Sequence, residues 1–137
     1  MIMYKKQVMK SSKIFLVDDD IFSLNVYRQA LDNLGYKDIS LFLNGTICLS
    51  NLHQKPNIIF LNYQMCDNVG LDLLKKIKRY SSDIYIVIFS ANEDVNDANE
   101  ALKFGAFDYI IKGDGEIAKM NNVIERIFAI EQNSSNY

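Results

Sequence analysis

Tryptophan is absent from this chain of 137 residues, and proline, histidine and cysteine are scarce: one Pro, one His and two Cys. Two cysteines, Cys48 and Cys66, make no disulfide scaffold of the kind small secreted domains use. With His53 alone beside them, the spacing fits no zinc-ligand pattern. No apolar run approaches the ~20 residues a membrane span needs. The opening nine residues are too short and too interrupted by Lys and Gln to act as a secretory signal, so a cytoplasmic address without a membrane partner is the expectation. A net charge of −2 supplies no overall basic field for nucleic acid, and no helix-turn-helix fits within the chain.

The charge is unevenly spread. Lys5, Lys6, Lys10 and Lys13 all precede the first acid, Asp18, which leaves about −6 on the remainder. Residues 1–12 therefore read as a basic, solvated tail, with a contact for an acidic partner as the sharper alternative. Residues 13–131 read as one domain, since 137 residues suffice for one proper core and not for two, and residues 132–137 as a polar tail.

Five short apolar runs alternate with five longer amphipathic ones. Residues 14–17, 58–61 and 84–89 are nearly continuous in apolar side chains, as in strands covered on both faces. Residues 39–43 and 107–111 admit Ser40 and Asp108 and read as the outer strands. Between them the period becomes helical. Leu24, Tyr27, Leu31 and Leu34 share a face, Asp20 stands as N-cap and Gly35 as the stop. Leu71, Leu74 and Ile77 repeat the pattern after Gly70. Val95, Ala98, Leu102 and Gly105 predict a fourth helix with a small-residue face, and Ile117, Met120, Ile124, Ile127 and Phe128 a fifth. Residues 46–53 carry the weakest helical signal. Strict alternation implies a doubly wound α/β domain, a five-stranded parallel sheet with right-handed crossovers. Ligands in such folds bind beyond the carboxyl ends of the strands.

The polar residues fall at those ends: Asp18 and Asp19 after the first strand, Asn62 after the third, Ser90 after the fourth, Lys112 after the fifth. Adjacent carboxylates suit a hard divalent cation such as Mg²⁺. A hydroxyl and an ammonium on neighbouring strands suit the oxygens of a phosphoryl group. Helix capping accounts for Asp20 but not for two further acids crowded beside it.

Four separated motifs in order, IFLVDDD (14–20), NIIFLNYQM (57–65) with Gly70, IVIFSA (86–91) and DYIIK (108–112), make the chain resemble a response-regulator receiver domain of two-component signalling. The resemblance implies a flavodoxin-like (βα)5 fold with strand order 2-1-3-4-5. It implies Asp18 and Asp19 as the acidic metal pair, Gln64 as a backbone-carbonyl ligand, Ser90 as the switch hydroxyl, Tyr109 as the switch aromatic and Lys112 as the phosphate-contacting lysine. A sensor histidine kinase or another signalling protein is the implied partner. A homodimer through the face of the fourth helix, fifth strand and fifth helix is also implied.

The family's phosphoacceptor aspartate, however, is Asn62 here. A neutral amide oxygen is a very poor nucleophile, and the site loses a charge that would hold Mg²⁺. The amide also gains two donors able to bond Asp18 or Asp19 and close the pocket without metal. Cys66, Val69 and Gly113 depart from the family pattern nearby. The resulting expectation is a pseudo-receiver acting through protein–protein contacts, not an enzyme. One alternative is a phosphorylatable receiver whose acceptor was replaced by Asn62. Another is a haloacid-dehalogenase-like phosphatase using Asp18 and Asp20, which would need a further late acid pair for which Asp114 is the nearest candidate.

Overall fold

Residues 14–17 (Ile-Phe-Leu-Val) form strand β1 and are buried on both faces, so their lack of polar residues follows from having helices above and below. The computed structural model of the chain describes residues 8–65, 70–91, 94–113 and 115–135. The expectations attached to Lys5, Lys6, Cys66, Val69 and Asp114 lie outside the described residues. After β1 come α1 (Ile21–Asn33), β2 (Ile39–Phe42), α2 (Gly45–Ser50), a 3₁₀ turn (Leu52–Gln54) and β3 (Ile58–Asn62). The chain continues with α3 (Gly70–Tyr80), β4 (Tyr85–Ser90), α4 (Val95–Lys103), β5 (Asp108–Ile111) and α5 (Glu116–Ser135).

The five strands form one parallel sheet in the order β2-β1-β3-β4-β5. The outer strands are β2 and β5, which carry Ser40 and Asp108, as the sequence implies. Alternation along the strands divides the core. Ile14, Leu16, Ile58, Phe60, Val87 and Phe89 face α1 and α5, while Phe15, Val17, Ile59, Leu61, Ile86 and Ile88 face α2, α3 and α4. The strand order reverses between β1 and β3, which opens a crevice at their carboxyl ends.

Local chemistry sets the element ends. Asp20 caps α1, its carboxylate accepting from the amide of Phe22 at 3.0 Å and the hydroxyl of Ser23 at 2.9 Å. Gly35 follows α1 at φ +102°, a left-handed conformation that a side chain would strain. The weak helical signal at 46–53 resolves into a short α2 capped by Asn44, whose side chain accepts from Ile47 N at 2.9 Å, and the 3₁₀ turn after it.

Three features differ from the sequence reading. On α4 the buried residue is Ala101, whereas Val95 and Leu102 are exposed, so the helix is rotated from the face its larger apolar residues define. Small size decides this: Ala101 fits where α4 lies close over the sheet. Second, α5 runs on to Ser135, past the start of the expected polar tail, since each added residue gains a backbone bond at little cost. Third, within the expected basic tail, Met9 is buried in the core and Lys10 sends its amine to the carbonyl of Leu34 and over the ring of Tyr36 at 5.4 Å. Among the described residues no helix is long and apolar enough to cross a membrane.

Candidate functional site

Among the described residues three polar side chains are buried, Asp18, Asn62 and Ser90, and all three stand at the carboxyl ends of central strands. Buried polar groups need partners. Those of Asp18 come from three directions. Lys112 Nζ lies 2.9 Å from Oδ2, the Asp20 amide donates to Oδ1 at 3.0 Å, and Asn62 Nδ2 stands 3.4 Å from Oδ1. The Lys112–Asp18 pair joins the end of β5 to the end of β1 across β3 and β4, with the carboxylate almost fully buried.

Asn62 ends β3. Its Nδ2 donates to the carbonyl of Gln64 at 2.7 Å as well as facing Asp18. Both neighbours are acceptors only, so the amide must turn its NH₂ group, not its oxygen, toward them. One substituted side chain thus engages two of the oxygens that the sequence reading assigned to a cation. Asp19 and Asp20 are exposed. The bonds from Ser23 and from the Phe22 amide lower the pKa of Asp20 below the ordinary carboxylate range.

The Mg²⁺ fit follows from these contacts. A hard cation requires converging oxygens, but here an N–H donor points to where Asp18 and Gln64 O would meet it. As arranged, the donor set does not fit a divalent ion. Among the described residues, no group of three or more His, Cys, Asp or Glu side chains is positioned to hold a metal. The carboxylate of Asp20 caps α1, while that of Asp18 is bound to Lys112.

Ser90 and Tyr109 occupy adjacent strands, with Ser90 paired to Ile111 in the β4–β5 register. Burial raises the phenol pKa of Tyr109, and a hydrogen bond from Ser90 opposes that shift. The two residues that the resemblance assigns to the switch therefore interact with one another. The Tyr109 ring also meets that of Tyr63 edge-on, centroids 6.3 Å apart.

Tyr63 was not singled out by the sequence. It is buried directly after Asn62, its amide donates to Phe89 O at 2.7 Å and its hydroxyl reaches Asp97 Oδ1 on α4 at 3.4 Å. A tyrosine following a strand-end residue gives no hint of a partner on a helix 34 positions away. Gly70 is tied to the same residue: its amide lies 2.5 Å from Tyr63 O, and a Cβ there would come within 2.6 Å of Tyr63 Cα. Only glycine admits that approach. Glu116 was also missed. It accepts from the Gly113 amide at 3.0 Å and the Tyr27 hydroxyl at 3.2 Å, holding the turn after Lys112 onto α1.

The family model described as response regulator receiver domain matches residues 14–125. The transcriptional regulatory protein ZraR of Klebsiella oxytoca is 35% identical over 100 residues, 72% of this chain and 22% of that protein. The luminescence regulatory protein LuxO of Vibrio campbellii is 28% identical over 125 residues, 88% of this chain and 27% of that protein. The chain thus spans about a quarter of the length of the curated relatives it matches. Among solved structures, a CheY-like response regulator receiver domain protein from Methanospirillum hungatei superposes with a TM-score of 0.81 at 20% identity. That match covers 90% of this chain and 98% of the other.

Proposed function

The chain belongs to the response regulator receiver domain family of two-component signalling, and from that premise we propose that it is a pseudo-receiver, working through protein contacts without forming an aspartyl phosphate at position 62. One observation carries this reading: the NH₂ group of Asn62 is turned onto Gln64 O and Asp18. In a working receiver the acceptor carboxylate gives a lone pair to phosphorus and the donor's leaving group departs with its electrons, producing an acyl phosphate. The amide lone pairs are poor nucleophiles, and its nitrogen is bound to acceptors. Mg²⁺ binding is correspondingly weak, because the cation must displace those bonds and meets one negative charge fewer. The module binds and is bound; it turns nothing over.

Asp18 with Asp19, Asn62 and Gln64 form a remnant of the acidic site in this reading, and Ser90, Tyr109 and Lys112 a switch assembly held in one setting. The partner is a sensor histidine kinase or another signalling protein in the cytoplasm. The surface of α4, β5 and α5 is the contact face, whether for that partner or for a second copy. Intact mass after incubation with Mg²⁺ and a small acyl-phosphate donor tests the central claim. No phosphoryl adduct is expected on the chain as it stands, and Asn62→Asp should gain one that maps to position 62. An adduct on the unaltered chain, mapped to Asp18, Asp19 or Ser90, would overturn the reading. A variant that stays unlabelled would mean that the departures at Cys66, Val69 and Gly113 have disabled the pocket independently.

A further inference from the structure

We propose that the junction of α3 and α4 is a docking surface for a short acidic segment of a partner protein. Among the described residues, four cations that make no ion pair lie on these two helices, two of them over one exposed ring. Lys75 on α3 holds its Nζ 4.2 Å from the Phe104 centroid, and Lys103 on α4 approaches the same ring at 5.7 Å. Phe104 is 38% exposed. Lys76 and Arg79 continue on the exposed side of α3. Among the described residues, none of these four makes an ion pair.

The arrangement is built rather than incidental. The Lys78 stem lies against Gly105, where a Cβ would meet it at 3.2 Å, and its amine is engaged by the carbonyls of Ser82 and Ile84 at 3.1 and 2.7 Å. That contact locks the end of α3 to the turn after α4 and so fixes where Phe104 sits. Cations near a helix C-terminus complement its dipole, which accounts for Lys78 and Arg79 on α3 and for Lys103 on α4. It does not account for Lys75 being brought to the ring that Lys103 already approaches. Their ammoniums are no more than about 10 Å apart, within a Debye length, and repel. A carboxylate between them removes that repulsion, and the exposed side chains of Phe104 and Leu102 offer apolar contact to the residue beside it.

The surroundings select a protein segment over nucleic acid. Asp72 on α3 and Asp97 and Glu100 on α4 border the patch, in a chain of net charge −2. A long polyanion would run onto those carboxylates, whereas a short acidic segment stays on the cationic island. The inference rests on the reading of the chain as a protein-contact module and is independent of what Asn62 does.

The test is titration of the full, isotope-labelled chain in magnesium-free buffer with a short peptide of Asp and Glu around a central Leu-Phe pair, followed by amide chemical shifts. Saturable shifts concentrated at residues 75–79 and 102–105 are expected. The double variant Lys75→Glu and Lys103→Glu should weaken binding on the order of tenfold, while Lys37→Glu, a charge change elsewhere on the surface, leaves it in place. Unchanged spectral dispersion verifies that the variants fold. Absence of saturable shifts, shifts spread equally over Lys37, Lys55 and Lys119, or tighter binding of a duplex DNA probe would each overturn the proposal. None of these outcomes touches the acyl-phosphate test, so the two readings fail separately.

Discussion

α1 and α4 cover opposite sides of the same sheet but are held in different ways. α1 drives Leu24, Tyr27 and Leu31 into the core, each nearly or wholly buried. α4 gives the core one alanine, Ala101, and presents Val95, Leu102 and Phe104 to solvent at 69%, 47% and 38% exposure. A helix anchored by three large side chains is structural mass. A helix that shows more apolar surface than it buries is a surface element whose position depends on few contacts: Tyr63 to Asp97, Lys75 to Phe104 and Lys78 against Gly105. The contrast assigns a structural role to α1 and a contact role to α4.

The largest expected effect tests that assignment directly. Leu31→Ala opens a cavity among α1, β1 and α5 and should cost roughly 2–5 kcal/mol in urea unfolding. Leu102→Ala removes a side chain from water and should stay within about 0.5 kcal/mol. Equal losses would mean that α4 is packed as tightly as α1, and the division of roles would fail.

Most of this division was legible in the sequence and one part was not. The period of Leu24, Tyr27 and Leu31 gives the buried face of α1 because a long apolar stripe has only one way to leave water. On α4 the same rule points at Val95 and Leu102 and fails, since the apolar residues there are not the buried ones. The positions of Asp18, Asn62, Ser90 and Lys112 were readable because each ends an apolar strand, and the fold brings strand ends together. Their contacts were partly readable. An amide beside carboxylates was expected to donate, and Asn62 is directed at Asp18, but its nearer acceptor is the backbone of Gln64. Tyr63, Asp97 and Glu116 carried no local signal, because their partners lie on other elements.

The next prediction sharpens the comparison where the start of α3 meets the end of β3. Gly70 opens α3 directly against the Tyr63 backbone, with no room for a Cβ. Gly70→Ala must push α3 or the strand end outward, at a cost of about 1–3 kcal/mol. The displacement should also reach α4 through the Tyr63 hydroxyl bond to Asp97, so hydrogen exchange on α4 should quicken more than on α1. Uniform acceleration would show that the strain spreads through the sheet instead.

The smallest effect belongs to the α1 side and to alkaline pH. Tyr36 is fully buried beside α1 and α5, its hydroxyl donating to Asn121 Oδ1 at 2.9 Å. Burial, with Glu125 adding to it, raises its phenol from 10.0 to about 12. A folded-state pKa above the unfolded one means that the contribution is complete below pH 10 and is lost as pH climbs toward about 12, since the unfolded chain ionises first. Tyr85, also pushed to about 12, and Cys48, raised by burial from 9.0 to about 12, act in the same window and direction. Urea midpoints should therefore fall between pH 9 and 12 with no change in the neutral range. Tyr36→Phe removes one of these contributions, leaving a shallower alkaline slope, and at neutral pH costs only about 1 kcal/mol for the lost bond to Asn121. If the slope is unaltered in Tyr36→Phe, the alkaline loss comes from the other groups that burial raises, Tyr27, Tyr85 and Cys48 among them.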